Sequence, residues 1–436
     1  MKTLYCNADV LVYRNGEYSV LKNAYVGVDG TRFCYVGEEK PKEDYDAEKD
    51  MRGKLLTPAF YNCHGHSPMV LLRGVGSDLP LDKWLFEKVF PVEDRLTPEC
   101  VRVGSDLSIL EMIAGGTVSY SDMYFFPEQT ANAAIDAGMK ANVSRPVQAF
   151  EGAEEQAETR LREALELYDR YHKAANGRIL VDFSVHAEYT CNEDVTRRCA
   201  ELCNERGGNM HIHLSETVKE HEECKRKYGK TPARWFYDLG AFDSRAFAAH
   251  CVALEDEDIA ILKEKGVSIV HNPTSNMKLG SGFARIPYML EQGLNVCLGT
   301  DGAASNNSTD MLETMKLAAL IQKGFHRDAS VITAGQVVRM ATRGGAKAIG
   351  MADELGILET GRKADMILFD PRHLKSCPNH DAEATVVYAS SEENIDTTIV
   401  NGRIVYQRGA FASGITESEL VREITEEVEN MKAMHP

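Results

Sequence analysis

The sequence predicts an α/β protein, a TIM-like (β/α)8 barrel with a small β-sandwich domain built from both chain ends. Three observations predict it. Eight short apolar runs alternate with helix-period segments between about Leu55 and Gly350. Hairpin-like strands occupy both ends of the chain, with too few on either side to close a stable sheet alone. Histidines and carboxylates gather where the apolar runs stop, which is where a barrel keeps its chemistry.

The bulk numbers bound the reading. A chain of 436 residues holds a barrel and a satellite domain, and 43% hydrophobic with 26% charged residues is ordinary for a globular protein. A net charge of -17 argues against a nucleic-acid partner, which would call for clustered Lys and Arg. No charged-then-apolar leader and no apolar run near 20 residues is seen, so neither export nor a membrane partner is expected. The 11 cysteines are scattered without a C-x-x-C pair, as suits free thiols in a reducing cytoplasm. Cys199 and Cys203, one helical turn apart, read as buried apolar residues.

At the amino end, Asn15-Gly16 and Asp29-Gly30 mark hairpins, the second between Ala24–Val28 and Arg32–Val36. The texture returns in Ala364–Phe369 and across Asn401-Gly402, so residues 1–56 and 351–412 are expected to form the small domain. Residues 57–350 are the expected catalytic barrel, with strands at Leu55–Phe60, Thr117–Ser121, Lys140–Ser144, Leu180–Val185, Met210–Leu214, Ala246–Val252, Val267–His271 and Asn295–Thr300. An open doubly wound sheet would favour a glycine-rich phosphate loop after its first strand, and none is present. Residues 413–436 carry a capping box, Thr416 with Glu419, and an apolar stripe at Leu420, Ile424, Val428 and Met431, the pattern of a docking helix.

Of 13 histidines, seven (64, 66, 186, 211, 213, 250 and 271) lie at or beside strand ends. His64 and His66 are two apart, so on a strand both imidazoles face one point. Alone, such a pair is as readily two core histidines. Barrel closure makes strand eight the neighbour of strand one, so Asp301 can join them, and His213 from across the mouth completes three histidines and an aspartate. That donor set suits one divalent metal per subunit, zinc first, with iron or manganese served by the same ligands, and leaves a place for water. Glu216, three residues after His213, is placed to shuttle a proton, and His250 to polarise the nucleophile.

His211 shares the face of His213 one layer deeper and reads as a hydrogen-bonded core histidine; His271 is expected to brace its loop through Asn272. His172, His221, His326, His373, His380 and His435 carry no signal. His186-Ala187-Glu188 matches half of a cytidine-deaminase zinc signature, but the P-C-x-x-C half is absent, so His186 is read as a substrate contact. Strand four has no lysine to bridge two metals, which favours one.

The stretches Asn62–Met69 with Leu71–Gly74, His271–Asn276, Gly299–Asn307 and Gly356–Asp365 resemble the amidohydrolase superfamily, and within it the methylthioadenosine/S-adenosylhomocysteine deaminases. The resemblance covers nearly the whole chain. It implies His64, His66, His213 and Asp301 as metal ligands, Glu216 as proton shuttle and His250 as the histidine beside the water. It further implies substrate contacts: Trp84 near the sugar's 5′ substituent, Glu93 on the ribose hydroxyls, His186 on the base and Arg145 on the 5′ side. Arg160 is the nearest match to the family's second carboxylate-binding arginine. The implied reaction is hydrolytic deamination of the adenine ring of a free nucleoside: methylthioadenosine, S-adenosylhomocysteine, adenosine or 5′-deoxyadenosine. Rival readings are a deaminase or chlorohydrolase of another heterocycle (guanine-like base, pterin or triazine), a two-metal cyclic-amide hydrolase, and a non-catalytic metal-binding scaffold. The partner is a small molecule, and a homo-oligomer is compatible with everything above.

Overall fold

A computed structural model describes residues 1–150 and 154–433. Eight parallel strands form the barrel: Phe60–Gly65, Thr117–Met123, Lys140–Val147, Ile179–Val185, Asn209–Leu214, Arg245–His250, Ser268–His271 and Val296–Leu298. Each pairs with the next. The last is tied to the first just beyond its end, where the Asp301 N–H donates to the His64 carbonyl (2.9 Å) and the Thr300 N–H to Asn62 Oδ1 (3.0 Å). Helices such as Pro98–Ala114 and Glu193–Arg206 lie between the strands in sequence, and Met311–His326 follows the last of them. Strands buried on both faces read as unbroken apolar runs, as in Ala246–Ala249.

One boundary differs from the sequence reading. The run Leu55–Phe60, expected as the first barrel strand, is split at Ala59. Leu55–Pro58 belongs to the sheet of the chain ends, and the barrel strand begins at Phe60, so His64 lies on the strand itself. Pro58 has no N–H to extend a ladder, and an apolar run alone does not reveal which of two buried sheets it serves.

The chain-end sheet is one hydrogen-bonded path: Ala410–Phe411, Arg403–Gln407, Ile395–Val400, Met366–Phe369, Leu55–Pro58, Lys2–Arg14, Glu17–Asp29 and Arg32–Gly37. The long strand Lys2–Arg14 has register shifts on either side of Ala8, with Asn7 at φ 60°. Its first half pairs Ala47–Asp50 and its second half Leu55–Pro58, so bulges let one strand serve two directions. Asn15-Gly16 and Asn401-Gly402 both take positive φ, the geometry that makes Asn-Gly a hairpin turn.

Helix Glu417–Ala433 opens on the expected capping box: Thr416 Oγ1 receives the Glu419 N–H (3.3 Å) and Glu419 Oε2 the Thr416 N–H (3.0 Å). It packs on helix Pro98–Ala114, and its Leu420 and Met431 are buried. Met431, Ile424 and Val428 join the apolar cluster that holds Trp84 and Leu85. Residues 434–436, His435 among them, lie outside the described residues.

Candidate active site at the barrel mouth

The first strand delivers His64, and the chain leaves it with a short 3-10 turn, Ser67–Leu72, which places His66 beside it. The two rings lie 4.9 Å apart, and both Nε2 atoms face Asp301 Oδ1, at 3.4 and 3.3 Å. The fifth strand brings His213, whose ring is 4.7 Å from that of His64. The sixth brings His250, 5.3 Å from His213.

The opposite ring nitrogens are held. His66 Nδ1 faces the Met123 carbonyl at 2.6 Å and His213 Nδ1 the His186 carbonyl at 2.8 Å, so each donates there and keeps Nε2 as a lone-pair donor. His64 Nδ1 lies 2.8 Å from His211 Nε2, and His64 Nε2 is buried without a hydrogen-bond partner among the described residues. His211 is therefore the hydrogen-bonded deeper histidine that the sequence suggested. Asp301 Oδ2 accepts from the hydroxyls of Ser275 (2.6 Å) and Ser305 (2.9 Å), while Oδ1 accepts the Gly302 N–H (2.8 Å).

Two sets of three donor atoms, each within 4.8 Å of one another, overlap at His64: His64–His66–Asp301 and His64–His213–His250. A cluster of buried imidazoles with unpaired nitrogens beside one carboxylate is costly unless a cation satisfies it. The donor set fits one divalent ion. Burial pushes the His64 ring down to about 4 and the His213 ring well below its ordinary range, which keeps these two neutral, as ligands must be. Burial also opposes charge on His66, but the Asp301 carboxylate outweighs it and raises the ring to about 9. Asp301 itself, despite burial, is held well below the carboxylate range by His64 and His66.

Glu216 follows the fifth strand, and burial raises its carboxyl to about 7. Its Oε2 lies 3.7 Å from His250 Nε2, while His250 Nδ1 is fixed by Asn276 Oδ1 at 2.8 Å. Ser215, His250 and Asp301 all take left-handed φ (46°, 71° and 64°), backbone strain gathered at the strand ends that carry the cluster.

One pocket brings most of the expected residues together: His66, His213, His250, Asp301 and Glu216 on its floor, with Trp84, Glu93 and His186 on its walls. Trp84 is buried and its Nε1 donates to the Val75 carbonyl (3.3 Å). Burial raises the Glu93 carboxyl, against a hydrogen bond from Tyr124 that lowers it. His186 places Nδ1 3.1 Å from Thr190 Oγ1, and burial lowers its ring to about 3. Arg145 stands apart. It lines an adjoining cavity of 760 Å³, with Nε donating to Glu163 Oε2 (2.7 Å) and its guanidinium 5.3 Å over Phe125. Arg160 lines the same cavity. The two spaces share Phe90, Glu93, Phe125 and Gln148. His271, expected to brace its loop, has both ring nitrogens buried without a hydrogen-bond partner among the described residues.

Sequence reasoning missed Tyr189, Gln148, Phe125 and Leu279 as pocket walls, and Ser275, Ser305 and Asn276 as the groups that orient Asp301 and His250. Ser275 and Asn276 lie within His271–Asn276 and Ser305 within Gly299–Asn307, whereas the loop walls carry no pattern of their own.

A barrel with nitrogen and carboxylate donors converging at the carboxyl ends of its strands, beside a buried acid, defines a metal-dependent hydrolase. The amidohydrolase family model matches residues 55–405, and the chain belongs to that family. It is 42% identical to the 5-methylthioadenosine/S-adenosylhomocysteine deaminase of Acetivibrio thermocellus, over 93% of this chain and 94% of that protein. It is 41% identical to the protein of the same name from Desulforudis audaxviator, over 97% of each. Among solved structures it resembles an adenosine deaminase from Xanthomonas campestris with bound zinc, at TM-score 0.92 and 30% identity, covering 99% of this chain and 98% of that one. No helix among the described residues is long and apolar enough to cross a membrane.

Proposed function

We propose that this protein deaminates the adenine ring of a free nucleoside by hydrolysis, with 5-methylthioadenosine and S-adenosylhomocysteine the first substrates to consider. The observation that carries the reading is a buried acid with a carboxyl near 7, Glu216, beside a histidine–aspartate cluster that needs a cation. The names of the relatives at about 40% identity support the substrate class.

His64, His66, His213 and Asp301 would hold one divalent ion, zinc first, with iron or manganese as alternatives. Such an ion supplies Lewis acidity and lowers the pKa of water toward neutrality. Glu216 holds a proton near neutral pH because its burial disfavours charge, and donates it to the ring nitrogen next to the carbon that carries the amine. His250, locked by Asn276, faces Glu216 and orients the attacking water. Asp301, its second oxygen gripped by two serines, receives the proton that water gives up and passes it to the amine, which leaves as ammonia when the carbon–nitrogen bond breaks, while the proton of the added hydroxyl returns to Glu216 as the carbonyl forms. His186 turns its free nitrogen to the base, and Glu93 accepts hydrogen bonds from the ribose diol near Trp84. Arg145 and Arg160, in the adjoining cavity, suit a 5′ substituent that ends in a carboxylate.

The experiment is ammonia release by metal-replete protein from methylthioadenosine, S-adenosylhomocysteine, adenosine, 5′-deoxyadenosine, adenine, guanine, a pterin and a triazine. Turnover confined to adenine nucleosides is expected. Turnover of free bases or triazines alone would overturn the nucleoside reading, and no turnover with metal bound would turn attention to the scaffold alternative.

A further inference from the structure

Behind Glu216 lies a second pair of carboxyls that the proposed chemistry does not use. Glu188 sits in the turn Glu188–Thr190 after the fourth barrel strand, two residues beyond His186 and next to Tyr189 of the pocket wall. Glu220 is the third residue of helix Val218–Tyr228. Both are buried. Glu220 Oε2 accepts the backbone N–H of Glu216 at 2.8 Å and of Thr217 at 3.3 Å, and the Glu220 N–H returns to Thr217 Oγ1 at 3.1 Å. This capping box fixes the backbone from which the Glu216 side chain leaves, directly after the strained Ser215 at φ 46°.

The other Glu220 oxygen, Oε1, finds no N–H or hydroxyl donor among the described residues, nor does Glu188 Oε2. The helix that carries Glu220 packs against the turn that carries Glu188, which brings the two buried carboxyls together. Two buried carboxylates in that arrangement repel, whereas a carboxyl and a carboxylate form a strong bond, so one proton makes the contact favourable. We propose that Glu188 and Glu220 share one proton and, as positioning residues, lock the turn carrying His186 and Tyr189 to the backbone of Glu216. Burial raises both carboxyls, in keeping with a retained proton. The groups around the pair are Lys227 and Cys224 of the Glu220 helix, Tyr189 beside Glu188, Glu216 and His250 at the mouth and Cys251 after the sixth strand, with Asp258 of the next helix beyond the two cysteines. Loss of the shared proton would part the two loops and displace the acid from the base it serves.

The inference rests on Glu216 as proton donor, so Glu216→Gln is measured alongside. With metal-replete enzyme, Glu188→Ala should lower kcat about tenfold while KM and bound metal stay near wild type, the size expected when a supporting hydrogen bond is lost. Glu188→Gln keeps a donor for Glu220 without a second charge, so it should restore kcat to within about twofold and extend activity to higher pH by about one unit. Wild-type kcat in Glu188→Ala, or equal impairment in Glu188→Gln, would overturn the proposal. If Glu188→Ala does not fold, the pH profile of Glu188→Gln decides: an alkaline limb that coincides with wild type overturns it. Full turnover in Glu216→Gln would instead remove the reading of Glu216 itself.

Discussion

The two ends of the barrel use the same residue types in opposite ways. At the mouth, His64 Nε2 and His250 Nε2 are buried with no hydrogen-bond partner among the described residues, and the groups around them hold the far ring nitrogens so that the near ones converge. Toward the floor, the buried charged groups are paired with one another or with amides. Lys140 Nζ meets both oxygens of Asp365 (2.5 and 2.6 Å), which also accepts from the Tyr61 hydroxyl (3.2 Å) and the Asn401 N–H (2.8 Å). Asp182 accepts from Asn209 (2.9 Å) and Asn142 (3.1 Å). Unsatisfied buried polarity is a standing cost, so where it is kept it marks a place reserved for something else; satisfied polarity marks stability. Changes at the mouth should therefore remove activity and spare the fold, and changes at the floor the reverse.

The largest effect falls on the mouth. Glu216→Gln keeps the volume and loses the proton, so kcat should fall by about 10³-fold or more while bound metal and Tm stay unchanged. Near-normal turnover would break the contrast at its strongest point. The counterpart at the floor is Lys140→Met, which leaves Asp365 buried with two weaker partners. Breaking a buried pair from one side costs about 3–5 kcal/mol, so the urea midpoint should drop clearly while kcat of the folded fraction holds. A loss of kcat without loss of stability would mean that the floor communicates with the site.

A subtler test separates the pocket wall from its floor. Glu93→Ala should cost about 10²-fold in kcat/KM for nucleosides, since a diol partner buried with the substrate is removed, and leave any free-base turnover nearly untouched. Equal losses on both would take the ribose contact away from Glu93.

The mouth was the more legible end because its residues come in short, oriented patterns. His64-Gly65-His66, His211-Ile212-His213 with Glu216, and Thr300-Asp301 each sit at the close of an apolar run, and chain closure brings them together. What faces the ligand from loops was less legible. Tyr189 and Gln148 follow strands without periodicity, and Arg160 lies on helix Glu154–Tyr171, where only the three-dimensional path places it beside Arg145. The strand boundary at Pro58-Ala59 was missed for a related reason: two buried sheets meet there, and hydrophobic pattern is the same in both. The floor pairing of Lys140 with Asp365 spans 225 residues, and no local signal links them.

The smallest expected effect tests the floor by pH. Burial raises the Asp182 carboxyl from 3.8 to about 6, against the two asparagine N–H bonds that lower it. The folded-state value lies above the unfolded one, so the folded protein favours the neutral acid. The stability this contributes is fully present below about 3.8 and is lost as pH rises through about 6. Ionised above that range, Asp182 costs the fold at most on the order of 3 kcal/mol relative to its acid form. Asp182→Asn stays neutral throughout, although an amide must turn, either the introduced one or that of Asn142 or Asn209, to keep the bonds, which trims the gain. The Tm of the variant minus that of wild type should rise between about pH 3.8 and about pH 6 and then level off, with kcat unchanged at every pH. A difference independent of pH would show that the asparagine bonds already offset the burial of charge, and would place Asp182 among the groups that floor geometry satisfies in either protonation state.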